Sequence, residues 1–442
     1  MNTNKSTEAI KIISFAIILT MAVLISAFNT NTYVQAFTAL SDTNNAEETL
    51  AKSSEEAICG IFIASVCNIN FPTKPGLSAD TLRAELDDIV STCESVGINA
   101  IYFQVRPTAD ALYKSKIFPT SEYLTGKQGA PFQDGFDPLE YLLTAAHEKN
   151  ITVHAWVNPL RVTTGTAAAP RHNITILAEN HPARINPDYA IAYADGKLYF
   201  DCGNPDVRTL IAQSVAEIVT NYSVDGVIFD DYFYPYPVTD SDGKIAAFDD
   251  SDSFTKYGSG MTLEDWRRDN INKMVEACYT AIKSVRADCE FGVAPFGIWQ
   301  NDNGANGGSQ TAGLESYSAI YCDPTAWICG GYIDYIAPQI YWQFTNTTAP
   351  YATLVRWWND AVSDSGVELL ISHGVYNYDT WNNPENELKN QIDFAKSFAA
   401  YRGSILYGYA ALKANSNGLF EEAREVFAEN KTAVEASANI LD

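Results

Sequence analysis

Between residues 58 and 440 eight short apolar runs of strand length recur in order, interleaved with amphipathic helical stretches. That alternation narrows the chain to α/β architectures with a parallel sheet. The predicted strands are 60–66, 98–105, 151–157, 227–229, 291–295, 332–338, 369–373 and 404–409. Predicted helices cover 79–96, 138–149, 206–222, 269–287, 385–401 and 419–438. The first carries Leu82, Leu86, Ile89 and Cys93 on one stripe, and Asp137 followed by Pro138 is a good start for the second. Eight such units in one run close into a (β/α)8 TIM barrel more readily than into an open doubly wound sheet, so 58–440 reads as one domain. Long loops after strands two to five carry it beyond the ~250 residues usual for the fold, and all fall on the face where active sites are built.

The fourth strand is the most informative. In VDGVIFDDYFYPYP (224–237) a β-branched and aromatic run ends in two carboxylates and a cluster of tyrosines. A helix cap needs one short polar side chain, so Asp230 and Asp231 beside Tyr232, Phe233, Tyr234 and Tyr236 point instead to a site. Alternation along strands two and three separates an apolar set (Ile101, Phe103, Val105; Val153, Ala155, Val157) from a set facing a polar cavity (Tyr102, Gln104, Arg106; His154, Trp156, Asn158). By the same parity Asp230 points into the barrel mouth and Asp231 away from it, unless the strand has already ended.

Charge restricts the partners. Twenty-nine Lys and Arg against 54 Asp and Glu give a net charge of −25, which repels phosphate backbones and excludes a nucleic-acid partner. A neutral or amphipathic ligand fits better. Lys5 and Lys11 precede an apolar run over 12–28, and Val34-Gln35-Ala36 is a small-residue cleavage site, so 1–36 reads as a secretory signal. A secreted or cell-envelope location follows, with membrane attachment only if the segment is left uncleaved. Residues 37–57 are polar, acidic and aperiodic, a linker. Eight scattered cysteines contain no CxxC pair; most read as small buried hydrophobes, with Cys322–Cys329 or Cys278–Cys289 open to pairing. The acidic loop 240–253 lacks the EF-hand positions and reads as a solvated insert.

QVRPTADALY (104–113), SEYLTGKQG (121–129), HAWVNPLRV (154–162), FDDYFYP (229–235), GVAPFGIW (292–299) and IDYIAPQIYW (333–342) resemble the signature blocks of the glycosyl-hydrolase-like 10 family of exported bacterial barrels. The resemblance runs from about Cys59 to Leu412 and implies glycoside hydrolysis on bacterial cell-wall glycans. A fainter similarity links strand four to chitinase-type barrels, with their Asp-Gly-x-Asp-x-Asp-x-Glu pattern. Asp225-Gly226 and Asp230 match it, but Ile228 and Tyr232 replace the middle Asp and the Glu. The loss of the acid at Tyr232 counts against the substrate-assisted mechanism of those barrels.

Glycoside hydrolysis needs one protonated and one ionised carboxyl group. Predicted strands five to eight end without acids, which leaves Asp230 as the ionised group and Asp231 or Asp110 as the acid, a neighbouring anion raising its pKa. For Asp110 a loop-capping role beside Arg106 competes. Arg106 and Arg161 follow apolar strands, where a guanidinium can hold sugar hydroxyls or bridge to the acids. His154 is a barrel histidine or a sugar contact. Trp156, Trp299, Tyr341 and Trp342 lie at predicted strand ends, where sugar faces stack on rings. Gln104, Glu122, Asn158, Tyr232, Tyr234, Gln339 and His373 complete the predicted substrate-binding set. No His, Asp and Glu set has zinc spacing, so neither metal nor cofactor is expected, and a metal-dependent deacetylase lacks its Asp-His-His site. The reading is a glycoside hydrolase of a neutral glycan, in particular peptidoglycan strands; the alternative is a catalytically silent glycan-binding barrel.

Overall fold

The computed structural model describes residues 57–239, 242–381 and 385–438. Residues 57–429 form one compact unit; of a second, made of 1–56 and 430–442, only the helical residues 430–438 are described. The predicted signal and linker lie outside the described residues. Eight parallel strands close into a barrel in chain order. They are β1 (Ile58–Ile63), β2 (Ala100–Arg106), β3 (Thr152–Val157), β4 (Gly226–Phe229), β5 (Glu290–Val293), β6 (Tyr335–Ile336), β7 (Glu368–His373) and β8 (Tyr401–Tyr407). The principal crossover and closing helices are α1 (Ala79–Val96), α2 (Pro138–His147), α3 (Pro205–Asn221), α4 (Leu263–Val285), α5 (Pro324–Gly330), α6 (Tyr351–Val362), α7 (Glu387–Lys396) and α8 (Leu419–Ala438).

Local chemistry sets the boundaries. Ser78 accepts the Thr81 N–H at the start of α1, and Gly97, at φ +89°, ends it in the left-handed conformation that glycine adopts without strain. Asp137 accepts the Leu139 and Glu140 N–H groups and starts α2 where the sequence placed it. Helix α4 begins six residues before the predicted 269 because Thr262 caps it, bringing Trp266 and Arg267 into the buried face. Strand β6 is shorter than predicted. Pro338 has no N–H to continue the ladder, and only single bridges from Gln339 to Phe296 and Ser372 extend the pairing. A small hairpin, Ala190–Ala192 with Leu198–Phe200, sits in the loop after β3; three-residue strands are too short to show a period.

The barrel is filled by side chains and its lower layer fixes one predicted site residue. Tyr102, His154 and Tyr335 occupy the space that Gly60, Gly226 and Gly292 leave. A Cβ on Gly226 would stand 2.3 Å from His154 Nδ1, and one on Gly292 2.2 Å from the Tyr335 ring. His154 Nδ1 is hydrogen-bonded to the Tyr335 hydroxyl at 2.9 Å, and burial lowers its pKa to about 4. It is therefore a neutral interior histidine, not a sugar ligand. All eight cysteines are free thiols, and neither considered pair is formed. A chain begun at Ala57 is expected to unfold in one transition at the temperature of the longer protein; a clearly lower calorimetric midpoint would show that the preceding residues support the barrel.

Candidate active site

At the carboxyl ends of the strands the barrel opens into a cleft of about 620 Å³. Its floor is the top of the barrel's own core, Phe62, Trp156 and Ala294. Strand β4 ends at Phe229, so Asp230 and Asp231 lie in the loop beyond it and strand parity no longer applies. Both carboxyl groups line the cleft, although they are only 4% and 5% exposed. Asp231 therefore faces the mouth, not away from it as strand parity predicts.

The two carboxyl groups are held from different sides. Asp230 Oδ2 accepts the Trp156 indole N–H at 3.0 Å and the Asn158 amide at 3.2 Å, while Oδ1 accepts the Tyr232 N–H at 3.2 Å. Asp231 accepts the Tyr236 hydroxyl and, at 3.0 Å, the Gln339 amide. Burial first and the adjacent Asp231 second push Asp230 up to about 6. Burial also raises Asp231, against the two donors that favour its anion. Arg161 opposes the rise at both. Adjacent buried carboxyls cannot both ionise cheaply, so the pair holds one proton as pH approaches 6 from below and titrates as a unit.

Arg161 is itself buried. Its Nε and Nη2 donate to the Pro107 carbonyl at 3.1 and 2.8 Å, and its guanidinium lies 4.7 Å from the centre of the Tyr232 ring. It backs the carboxylates through its field and the tyrosine, and is not among the residues lining the cleft.

Of the predicted set, Trp156, Tyr232, Gln339 and Tyr341 line the cleft with the two aspartates, and Asn158 donates to Asp230 from behind. The others lie elsewhere. A register shift between Gln104 and Arg106 turns Arg106 out of the barrel, where it donates to Ser214 Oγ of α3 and lies over the Phe118 ring. Gln104 Oε1 accepts the Ser65 and Val66 N–H groups and pins the loop after β1. Asp110 is buried in the loop after β2, accepting from Thr108, from the Glu122 N–H and from Gln128. It is not among the cleft residues and keeps the loop-capping role. Glu122 forms a two-pronged pair with Arg171 at 2.6 and 2.9 Å beside a separate, polar recess. Tyr234 turns away from the cleft onto Phe248, Tyr321 and Arg267. Trp299 donates to Asp323 and stacks on Trp357, and Trp342 packs edge-on against Phe296. His373, whose pKa burial lowers to about 4, is held by Gln391 and Ser404 behind the barrel wall.

Several cleft residues fall outside the predicted set. Tyr407 stacks on Tyr341, centroids 5.7 Å apart and planes 5° apart, and Tyr376 meets both edge-on. Tyr407 ends β8, a position dismissed because it is not acidic; asking for aromatic strand ends would have found it. Tyr376, in the turn after β7, gives no periodic signal. Gly408 follows Tyr407 at φ +139°, and a Cβ there would stand 2.5 Å from the Tyr376 nitrogen, so glycine lets these two walls meet.

The family model described as "Glycosyl hydrolase-like 10" matches residues 57–390. "Glycosyl hydrolase YngK" of Bacillus subtilis (strain 168) is 37% identical over 374 residues, covering 83% of this chain and 71% of that protein. "Glycosyl hydrolase DigH" of Escherichia coli (strain K12) is 35% identical over 375 residues, with 80% and 84% covered. Among solved structures, the PgaB (BpsB) glycoside hydrolase domain from Bordetella bronchiseptica matches with a TM-score of 0.49 at 12% identity, covering 84% of this chain and 98% of that one. That likeness is too distant to bear on the site.

Proposed function

The chain belongs to the glycosyl hydrolase-like 10 family, and on that footing we propose that it is an exported glycoside hydrolase cleaving the sugar strands of peptidoglycan, with Asp230 and Asp231 carrying the chemistry. The observation behind this reading is the coupled carboxyl pair at the mouth of a ring-lined cleft. Monoprotonated, it supplies both a proton for the departing oxygen and a negative charge for the oxocarbenium-like transition state. Aromatic walls and a lack of basic side chains among the described lining residues suit an uncharged sugar. Mass-resolved products from purified glycan strands, with and without attached peptides, test the substrate. Intact strands in both cases would refute it. The signal reading is tested by the N-terminus of the exported form, expected near Phe37.

A silent glycan-binding barrel is the second reading, favoured by one observation: among the described residues of the cleft no third acid faces the pair. The rings separate contact from scaffold under either reading. Trp156→Ala and Tyr341→Ala are each expected to weaken oligosaccharide binding by about 1 kcal/mol. Trp299→Ala and Trp342→Ala, whose rings lie off the cleft, should leave affinity unchanged in calorimetric titration. Equal losses at all four would mean that the ligand lies elsewhere on this face.

A further inference from the structure

We propose that the nucleophile in this site comes from the substrate: the carbonyl oxygen of a 2-acetamido group on the sugar whose bond is cut, so that the enzyme is confined to N-acetylhexosaminides. This rests on the glycosidase reading of the Asp230 and Asp231 pair, in which Asp231 supplies the second carboxyl that the chitinase-type pattern would place at Tyr232.

The argument is geometric. Two-carboxylate glycosidases place their groups on opposite sides of the anomeric carbon, about 5–5.5 Å apart for retention and about 6.5–9.5 Å for inversion. Here both acids follow one strand end as consecutive residues and line the cleft from that strand. Both are also fixed to that wall, Asp230 by Trp156 and Asn158, Asp231 by Tyr236 and Gln339. The facing wall offers Tyr407, Gly408, Ala410, Ala411, Asn70 and Ile69, and no described residue of it is a carboxylate. Tyr407 is a poor nucleophile, because burial, Tyr376 and the two aspartates all disfavour its phenolate. A sugar held against the pair therefore meets no protein nucleophile on its far face. Beside the acids, the floor of Phe62, Trp156 and Ala294 is an apolar bed suited to an acetyl methyl group.

The step balances without another reactant. The acetamido oxygen bonds to the anomeric carbon as the glycosidic C–O bond breaks, and the leaving oxygen takes the bond pair and the proton of one aspartic acid. The neighbouring carboxylate accepts a hydrogen bond from the acetamido N–H and so favours closure to an oxazolinium ion. Water then attacks the anomeric carbon, giving its proton to the first aspartate, and the ring reopens to the acetamide with net retention. Adjacent carboxyls of opposite protonation suit this division of labour.

The test compares N-acetylated glycan strands with the same strands after chemical de-N-acetylation, adds the thiazoline derivative of N-acetylglucosamine as inhibitor, and follows product anomers by NMR. The expected result is at least a thousandfold slower cleavage at bonds lacking the acetyl group, competitive inhibition by the thiazoline, and retained configuration. Equal rates on both substrates, inverted products, or a sugar trapped on a side chain by a 2-fluoro glycoside would overturn the proposal and leave the glycosidase reading standing. Failure to cleave any N-acetylated glycan overturns both.

Discussion

Asp230→Asn and Asp231→Asn are each expected to reduce turnover of a glycan strand by roughly 100- to 10,000-fold, the range that positioned acid and base groups supply, with oligosaccharide affinity kept. Wild-type turnover is expected to fall as pH rises through about 6, where the pair loses its remaining proton, and this limb should move in both variants, where one carboxyl titrates without its neighbour's charge. Aryl glycosides with good leaving groups assign the roles, since only the variant lacking the acid recovers on a substrate that needs no protonation. Stability moves the other way. Asp230 has its folded-state pKa raised from 3.8 to about 6, so the folded protein holds a proton that the unfolded chain releases, and stability is lost as pH climbs across that window. Removing the charge should therefore raise the melting temperature at pH 7.5, by at most about 3 kcal/mol in stability, with the advantage fading toward pH 4. Glycan cleavage near the wild-type rate in both variants would remove the pair from the chemistry. Unchanged melting at every pH would mean that the two charges are solvated rather than buried together.

Strand-scale periodicity made the barrel legible, because each strand packs helices on one face whatever its loops do. The site was legible only where a residue lies on or just past a strand. Asp230, Trp156, Gln339 and Tyr341 lie at such positions and line the cleft. Parity failed at Arg106, where one inserted residue in β2 turns the guanidinium toward the helices, and at Asp231, two residues beyond the last paired residue of β4. Neither a bulge nor a strand end is written in the alternation of apolar and polar residues. Asp110 and Glu122 were drawn to the site by their charge, yet Asp110 is satisfied within its own loop and Glu122 by Arg171 of the loop after β3. Loops fold by such pairings, which spacing alone does not reveal.

The acidic stretch 240–253 looked like a solvated insert, but its end is anchored in the protein, and this makes Asp250→Ala the substitution with the largest expected cost to folding. Asp240 and Ser241 lie outside the described residues. Asp250 pairs with Arg267 of α4 through two bonds of 2.6 and 2.8 Å, the side chains being 2% and 8% exposed. Arg267 also donates to the Phe248 carbonyl and the Tyr321 hydroxyl, and its guanidinium lies 4.9 Å from the centre of the Tyr321 ring. The segment that begins at the two cleft carboxyls and carries Tyr232 and Tyr236 is thus tied down at its far end by a buried ion pair. Breaking such a pair from one side leaves an uncompensated buried charge, worth about 3–5 kcal/mol. Replacing both partners with apolar residues of similar volume, Asp250→Leu with Arg267→Met, should recover most of that loss, and urea midpoints of the wild type, each of these single replacements and the double measure the coupling. Where Asp250→Ala remains folded, its glycan affinity should drop while the alkaline limb near pH 6 stays in place, since the loop carries the rings but the end of β4 carries the acids. A loss below about 1 kcal/mol would put this pair in the range of exposed salt bridges. The orientation of Tyr232 and Tyr236 would then have to come from their own contacts with Arg161 and Asp231.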